Sequence, residues 1–358
     1  MRNIGIPDLA LLSPRSGIGR VIHNLKTHLN GDSSLRTLNY QYINLPFLRN
    51  FPIRAITNDL NVVIFPQLTG VRNVRIFNKS TRSIAVIHDI GIIDCLQDKD
   101  LLNPVSRAII KYDLKCLKYI DLIVAVSEFT KQRIIKYYPD LEGKIAVVKN
   151  SLSESFINFK TEKEESKKIA CEDLNIRKES HILLCVGTEL PRKNLTLLFD
   201  AFVEVKKTDR DVVLIKAGGS GGARWRDHTL KLIHERGLDI EKDVFIRDNI
   251  SEEDLLNYYN SATATILPSL YEGFGLPAIE SIALGTPIVA SNGSAMDEIA
   301  SRFGMIHAPT AQDFKHAIIE IITNGISEKQ KLDFLLTRDE YSPQLQAKLM
   351  LNLIDKLH

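Results

Sequence analysis

The chain has 358 residues, enough for two domains that each bury a core. Apolar and charged fractions of 44% and 25% are those of an ordinary globular protein, and a net charge of +2 argues against nucleic acid as the main partner. Cys95, Cys116, Cys171 and Cys185 lack paired spacing, so they read as reduced thiols of a cytoplasmic protein rather than a zinc site or disulfide frame. No apolar run reaches the length of a membrane span, and no signal peptide is recognisable.

Asn3 to Leu12 is the expected opening strand. Ser13-Pro14-Arg15-Ser16-Gly17-Ile18-Gly19-Arg20 follows, then an amphipathic helix through Val21, Leu25 and Leu29. A glycine loop between a first strand and a first helix lies at the strand's C-terminal edge, where open α/β sheets bind ligands. A Gly-x-Gly by itself is equally the mark of a tight turn. Leu38 to Asn44 and Val62 to Phe65 read as further strands. Ser83 to Asp89 is a buried strand ending in His88 and Asp89.

Asp98-Lys99-Asp100 resembles a metal–diphosphate pair in spacing only. It sits in a polar loop ahead of a helix, not at a strand end, so it reads as a solvated cap and no metal site is expected. Pro104 to Tyr119 is a helix whose Arg107, Lys111, Lys115 and Lys118 recur every three or four residues. That basic stripe is either a solvated face or an attraction to anionic lipid or a lipid diphosphate. Asp121 to Val126 and Lys144 to Lys149 are the next strands, and Ser127 caps the helix between them.

Phe156 to Ser180 is polar and carries a linker and the opening helix of a second domain. His181 to Gly187 is a buried strand, followed by Thr188-Glu189-Leu190-Pro191-Arg192-Lys193-Asn194. Arg192 and Lys193 are either a plain turn into a helix or a cation pair for a diphosphate. Asp211 to Ala217 is a strand running into Gly218-Gly219-Ser220-Gly221-Gly222. Asp243 to Arg247 is another, and Ser251 caps the helix after it.

Ala262 to Leu267 is a buried strand that ends at Pro268. A loop with Glu272, Gly273 and Gly275 follows; Pro277 suits the first turn of a short helix and Gly285 its end. Thr286 to Ala290 is the next strand. The start of that helix favours an anion. Glu272 and Glu280 favour hydroxyl donors. A nucleotide-sugar contains both. Met305 to His307 and Phe314 to Ile322 form a last strand–helix pair, and Ser342 to Leu357 is a final amphipathic helix.

Pro268-Ser-Leu-Tyr-Glu272-Gly-Phe-Gly-Leu-Pro277, with seven residues between Glu272 and Glu280, resembles the signature of the GT4 family of retaining glycosyltransferases. The resemblance implies an α/β chain of GT-B fold, two doubly wound Rossmann-like domains facing across a cleft. Residues 1–152 would be the acceptor-side domain and 153–340 the nucleotide-sugar domain, with 341–358 a helix crossing back. It implies that Gly19 faces the donor's phosphates and sugar, although Ser16 replaces the first glycine of the family loop. His88 would hydrogen-bond the donor sugar without acting as a base. Lys193 would meet the diphosphate, and Arg192 would supply the charge where Thr188 replaces the usual arginine. Arg247 would lie in the base-contacting segment. Phe274, Gly275 and Leu276 would offer amides to the diphosphate, Glu272 would hold the hexose and Glu280 the ribose.

The implied reaction is a metal-independent, retaining transfer of a hexose, mannose or glucose foremost. The donor would be a UDP- or GDP-sugar, with no further cofactor, and the acceptor a glycan or lipid-linked glycan. The setting would be the cytoplasm or the cytoplasmic face of a membrane. Two other readings stand beside it: a nucleotide-sugar epimerase of the same fold, and a catalytically silent nucleotide-sugar-binding subunit.

Overall fold

Short apolar runs separated by helices fold here into two parallel sheets. The computed structural model describes residues 2–7, 19, 23, 27–28, 33–38, 40–43, 51–55, 60–77, 80–94, 103–303, 306–307 and 309–357. The chain divides into two compact units: Met1–Ser153 with Tyr341–His358, and Glu154–Glu340.

In the first unit the strands are β1 (Arg2–Pro7), β2 (Ser33–Leu38), β3 (Tyr40–Ile43), β4 (Phe51–Ala55), β5 (Val62–Phe65), β6 (Arg82–Ile87), β7 (Leu122–Ala125) and β8 (Ile145–Val147). Six of them form a parallel sheet in the order β2-β1-β5-β6-β7-β8. The single strand expected from Leu38 to Asn44 resolves into the end of β2 and all of β3, and β3 pairs antiparallel with β4 as a separate ribbon. Val62-Val-Ile-Phe65 is buried throughout, as a strand covered on both faces must be. The chain leaves β1 for β2 on one side and returns to β5 on the other. The C-terminal edge at β1 is therefore a switch point of the sheet.

Helix α1 (Pro104–Cys116) begins with proline in its first turn, and Asn103 caps it by accepting from the Ser106 amide at 2.8 Å. Its inner face buries Leu114, Cys116 and Asp113. The Asp113 carboxylate accepts from the Arg72 amide at 2.9 Å and from Arg72 Nη1 at 2.5 Å, tying the 3-10 turn Val71–Ile76 to the helix. The last helix, Pro343–Asp355, belongs with this unit. Its Gln346 Nε2 donates to the Lys149 carbonyl at 2.9 Å and its Oε1 accepts from Ser151 Oγ at 2.9 Å, while Ala347, Met350 and Ile354 are buried.

The second unit has β9 (His181–Val186), β10 (Val212–Ala217), β11 (Val244–Arg247), β12 (Ala264–Leu267), β13 (Ile288–Ser291) and β14 (Ile306–His307). All pairs are parallel, in the order β11-β10-β9-β12-β13-β14. The order reverses between β9 and β12; the loop leaving β9 carries Arg192 and Lys193, and the loop leaving β12 carries Glu272, Gly273 and Gly275. The core joins Leu183, Leu214 and Ile266 of the sheet to Phe199, Phe202 and Phe314 of the covering helices. Each fully buried phenylalanine contributes about 1.5–3 kcal/mol over an exposed one. Among the described residues no helix is long and apolar enough to cross a membrane.

Asp113 has no exposed surface, and removing it would leave Arg72 without its carboxylate partner. Asp113→Ala is expected to destabilise the protein by roughly 3 kcal/mol or more. Urea unfolding checks this, and a midpoint unchanged from wild type would deny the residue its anchoring role.

Candidate active site

β9 and β12 pair through Leu183–Ala264 and Leu184–Thr265, so their C-terminal loops emerge side by side. After β9 the chain makes a 3-10 turn, Pro191–Lys193, and passes Asn194 in the left-handed region at φ 52°. Helices α2 (Ala223–Glu235) and α3 (Glu252–Ser261) precede β12, after which the chain runs through Pro268 to Gly275 and enters α4 (Leu276–Ala283). The Leu270 amide donates to the Arg192 carbonyl at 2.8 Å, which stitches the two loops together.

Three charges meet at that seam. Lys193 Nζ donates to Glu272 Oε1 at 2.5 Å. Arg192 Nη1 lies 3.6 Å from Glu272 Oε2 and donates to the Tyr271 carbonyl at 3.2 Å. The Glu272 side chain is 12% exposed. Burial opposes its charge, yet Lys193 and Arg192 outweigh that penalty and hold the carboxyl below its ordinary value. The carboxylate is therefore ionised and paired with both cations of the turn after β9.

Gly275 caps α4 at φ 98°, with no side-chain hydrogen bond at the helix start. A Cβ there would lie 2.6 Å from Met296 Sδ, so glycine is required by both backbone and space. Pro277 follows in the first turn, as expected. Phe274 is buried and Leu276 half-buried. Glu280 occupies the second turn and is 2% exposed; its Oε2 accepts from Tyr259 Oη of α3 at 2.8 Å. The two glutamates of the signature are thus unequal. Glu272 stands in the loop, while Glu280 is set back between two helices.

Arg247, at the end of β11, is committed locally. Its guanidinium pairs with Glu241 at 2.8 Å and lies 3.6 Å from Asp173. The neighbouring strand ends carry a network that sequence reasoning missed. Lys216, buried in β10, has Nζ 3.2 Å from Glu189 Oε1 and donates to the Gly218 carbonyl at 2.5 Å. Arg226 of α2 pairs with Glu189 at 2.7 Å and with both oxygens of Asp248 at 2.8 Å. Burial pulls the Lys216 ammonium down while Glu189 pushes it back up. Gly218 sits at φ 107°, and a Cβ there would come 2.8 Å from the Gly187 carbonyl. The network thereby seats the glycine loop against the end of β9. A lysine inside the apolar run Val212-Val-Leu-Ile-Lys216-Ala217 was the available signal.

In the first unit, His88 follows β6 and its Nε2 lies 3.0 Å from the Pro66 carbonyl. A carbonyl only accepts, so Nε2 carries the proton and neutral His88 leaves Nδ1 as an acceptor. Burial lowers its pKa, against the raising influence of Pro66 and Asp89, which favours the neutral ring. Gly19 is buried and helical. Ser16 and Gly17 of the first glycine loop, and Asp98 and Asp100, lie outside the described residues. On α1 and the turn after it, Lys111, Lys115 and Lys118 are exposed and Arg107 is half-buried. An apolar row runs beside them: Val105 is 67% exposed, Ile109 42% and Tyr112 50%.

Residues 166–333 match the family described as "Glycosyl transferases group 1". An Escherichia coli O-antigen chain mannosyltransferase B is 28% identical over 65% of this chain and 58% of its own length. A D-inositol 3-phosphate glycosyltransferase of Streptosporangium roseum is 29% identical over 55% of this chain and 45% of its own. The chain thus spans about half the length of these curated relatives. Among solved structures, sucrose-phosphate synthase from Thermosynechococcus elongatus superposes with a TM-score of 0.76 at 18% identity, covering 100% of this chain and 99% of that one. Anabaena HepE in complex with UDP-glucose gives 0.76 at 12%, covering 99% and 100%. The fold is GT-B. The similarity to group 1 glycosyl transferases thus lies within the second unit.

Gly275→Ala is expected to cost about 1–3 kcal/mol through strained backbone and displacement of Met296. Thermal melting measures it; a stability equal to wild type would mean that the loop relaxes freely.

Proposed function

We propose that the protein is a retaining hexosyltransferase that uses a nucleotide-diphosphate sugar. The observation that carries this reading is the seam of Lys193, Arg192 and Glu272 beside the uncapped start of α4. The difficult step in glycosyl transfer is breaking the anomeric C–O bond while charge gathers on the departing diphosphate. Lys193, Arg192 and the amides of Phe274, Gly275 and Leu276 are suited to receive that charge where it develops. No metal is required for this, and Asp98 and Asp100 are given no part. Glu272 would bind hexose hydroxyls and Glu280 ribose hydroxyls. Neither acts as a nucleophile, in contrast to a two-carboxylate glycosidase. Neutral His88 would hydrogen-bond the sugar through Nδ1. The acceptor hydroxyl would pass its proton to the leaving phosphate oxygen on the same face, which preserves the anomeric configuration.

The O-antigen chain mannosyltransferase relatives support mannose as the hexose and a glycan as acceptor; glucose and a lipid-linked glycan stand beside them as proposals. UDP and GDP are both admitted as the nucleotide. Arg247, held by Glu241, would act near the base through the position of its segment. An epimerase would convert the donor without an acceptor, and a silent subunit would bind it without turnover.

The reading extends to peripheral membrane contact on the cytoplasmic side. Lys111, Lys115 and Lys118, with Arg107, form the basic side of α1 and its following turn; Val105, Ile109 and Tyr112 form the apolar side. An exposed helix with both rows suits anionic lipid.

Incubation with UDP-glucose or GDP-mannose and an oligosaccharide acceptor, followed by NMR of the product, tests the reaction. Retained configuration, turnover unaffected by EDTA, and loss of nucleoside diphosphate affinity in Lys193→Ala by tenfold or more are the expected results. Hydrolysis without transfer, inverted product or EDTA sensitivity would each reject the corresponding part. For the membrane contact, sedimentation with phosphatidylserine-containing vesicles should capture wild type and release Lys111→Glu/Lys115→Glu. Equal behaviour of the two proteins would remove it.

A further inference from the structure

The cations proposed for the diphosphate are held by the chain's own anion. Lys193 Nζ contacts Glu272 Oε1 at 2.5 Å, and Arg192 Nη1 is 3.6 Å from Oε2 of the same carboxylate. Side-chain exposures of 14%, 20% and 12% for Lys193, Arg192 and Glu272 leave little water to replace a lost partner. Arg192 is tethered by its bond to the Tyr271 carbonyl, and Lys193 Cε would lie 3.4 Å from a Cβ at Gly187. A diphosphate therefore meets both cations at the seam, beside Glu272.

A diphosphate that binds them draws them away from Glu272 and weakens both pairings. The carboxylate then keeps Ser269 but loses its counter-charges, an arrangement that is costly unless further donors reach it. An intact donor brings those donors, because its hexose hydroxyls hydrogen-bond a carboxylate. A spent nucleoside diphosphate lacks the hexose and its hydroxyls, and its ribose is directed to Glu280.

We infer that Glu272 discriminates the intact donor from the spent nucleotide, by yielding Lys193 and Arg192 to the first and reclaiming them from the second. This rests on the donor-site reading above. It adds a second task for Glu272: besides contacting the hexose, it drives product release. The same carboxylate is compensated while the sugar is attached and becomes a competitor of the diphosphate once the sugar has left. No covalent step is involved; two ion pairs are exchanged for hydrogen bonds from the hexose hydroxyls and then restored.

Titration calorimetry of wild type, Glu272→Gln and Glu272→Asp with UDP, GDP, UDP-glucose and GDP-mannose tests the inference. Glu272→Gln removes the competing charge, so it should bind the nucleoside diphosphate about tenfold tighter than wild type, the size of one ion-pair contact. It should bind the intact donor no tighter, so the donor-to-product preference shrinks by at least that factor. Inhibition of transfer by added product should deepen in parallel. Glu272→Asp keeps the charge but sets it back by one methylene, and should fall between the two; it carries the test if the glutamine variant melts early. Nucleoside diphosphate binding by Glu272→Gln that is equal to or weaker than wild type overturns the exchange. Failure of wild type and variants alike to bind any of the four ligands would instead reject the donor site itself.

Discussion

The contact between Lys193 and Glu272 joins two loops that only parallel strand pairing brings together. It is a charge pair with little water around it, so neither partner tolerates loss of the other. β9 must lie beside β12 for it to form, and each loop must leave its strand at the same edge. The apolar runs of both strands secure that register, because a strand buried on both faces has no alternative solvent-facing arrangement. The glycine at the start of α4 then lets the chain turn sharply enough to hold Glu272 over the cations. Fold and chemistry thus converge on the point where strand order reverses.

Around that point the charges are layered. Glu272 is held by two cations and remains ionised at a site of low exposure. One strand further, Glu189 links Lys216 and Arg226, and Arg226 links onward to Asp248. Buried charge of this kind contributes little net stability by itself, yet it fixes where backbone can go. Lys216 donates to the Gly218 carbonyl, and Gly218 packs against Gly187 with no room for a side chain. The ends of β9, β10 and β11 are therefore locked to one another, and the seam is built on a firm support. Glu280 has the opposite character. Its hydrogen bond to Tyr259 joins α4 to α3, so any contact it makes with a ligand also passes through the packing of those helices.

Strand positions were legible to within a residue or two where apolar runs were continuous, as at Val62–Phe65 and His181–Val186. They were less legible at Leu38 to Asn44, where one expected strand became parts of two, because β3 is specified by its distant partner β4. Ser127, Ser251 and Ser342 were readable as helix starts because capping is local, and each accepts from an amide three residues on. The basic stripe was visible in the sequence, but its apolar companion row was not. Val105, Ile109 and Tyr112 look like core residues by composition; only packing showed which face of α1 is covered. Arg247 was singled out from its place in the chain, and its engagement by Glu241 and Asp173 depends on side-chain geometry.

By itself the amino-acid sequence determined the alternation of strand and helix, the two-unit organisation and the residue types at the Glu272 loop, since all of these follow from local periodicity and turn chemistry. Tertiary structure alone decided which charges meet. Lys193 and Glu272 are 79 positions apart, and nothing in their neighbourhoods along the chain names one as the partner of the other. The reason is physical: ion pairing acts over a few ångströms of space, and that proximity exists only after β12 has been laid beside β9.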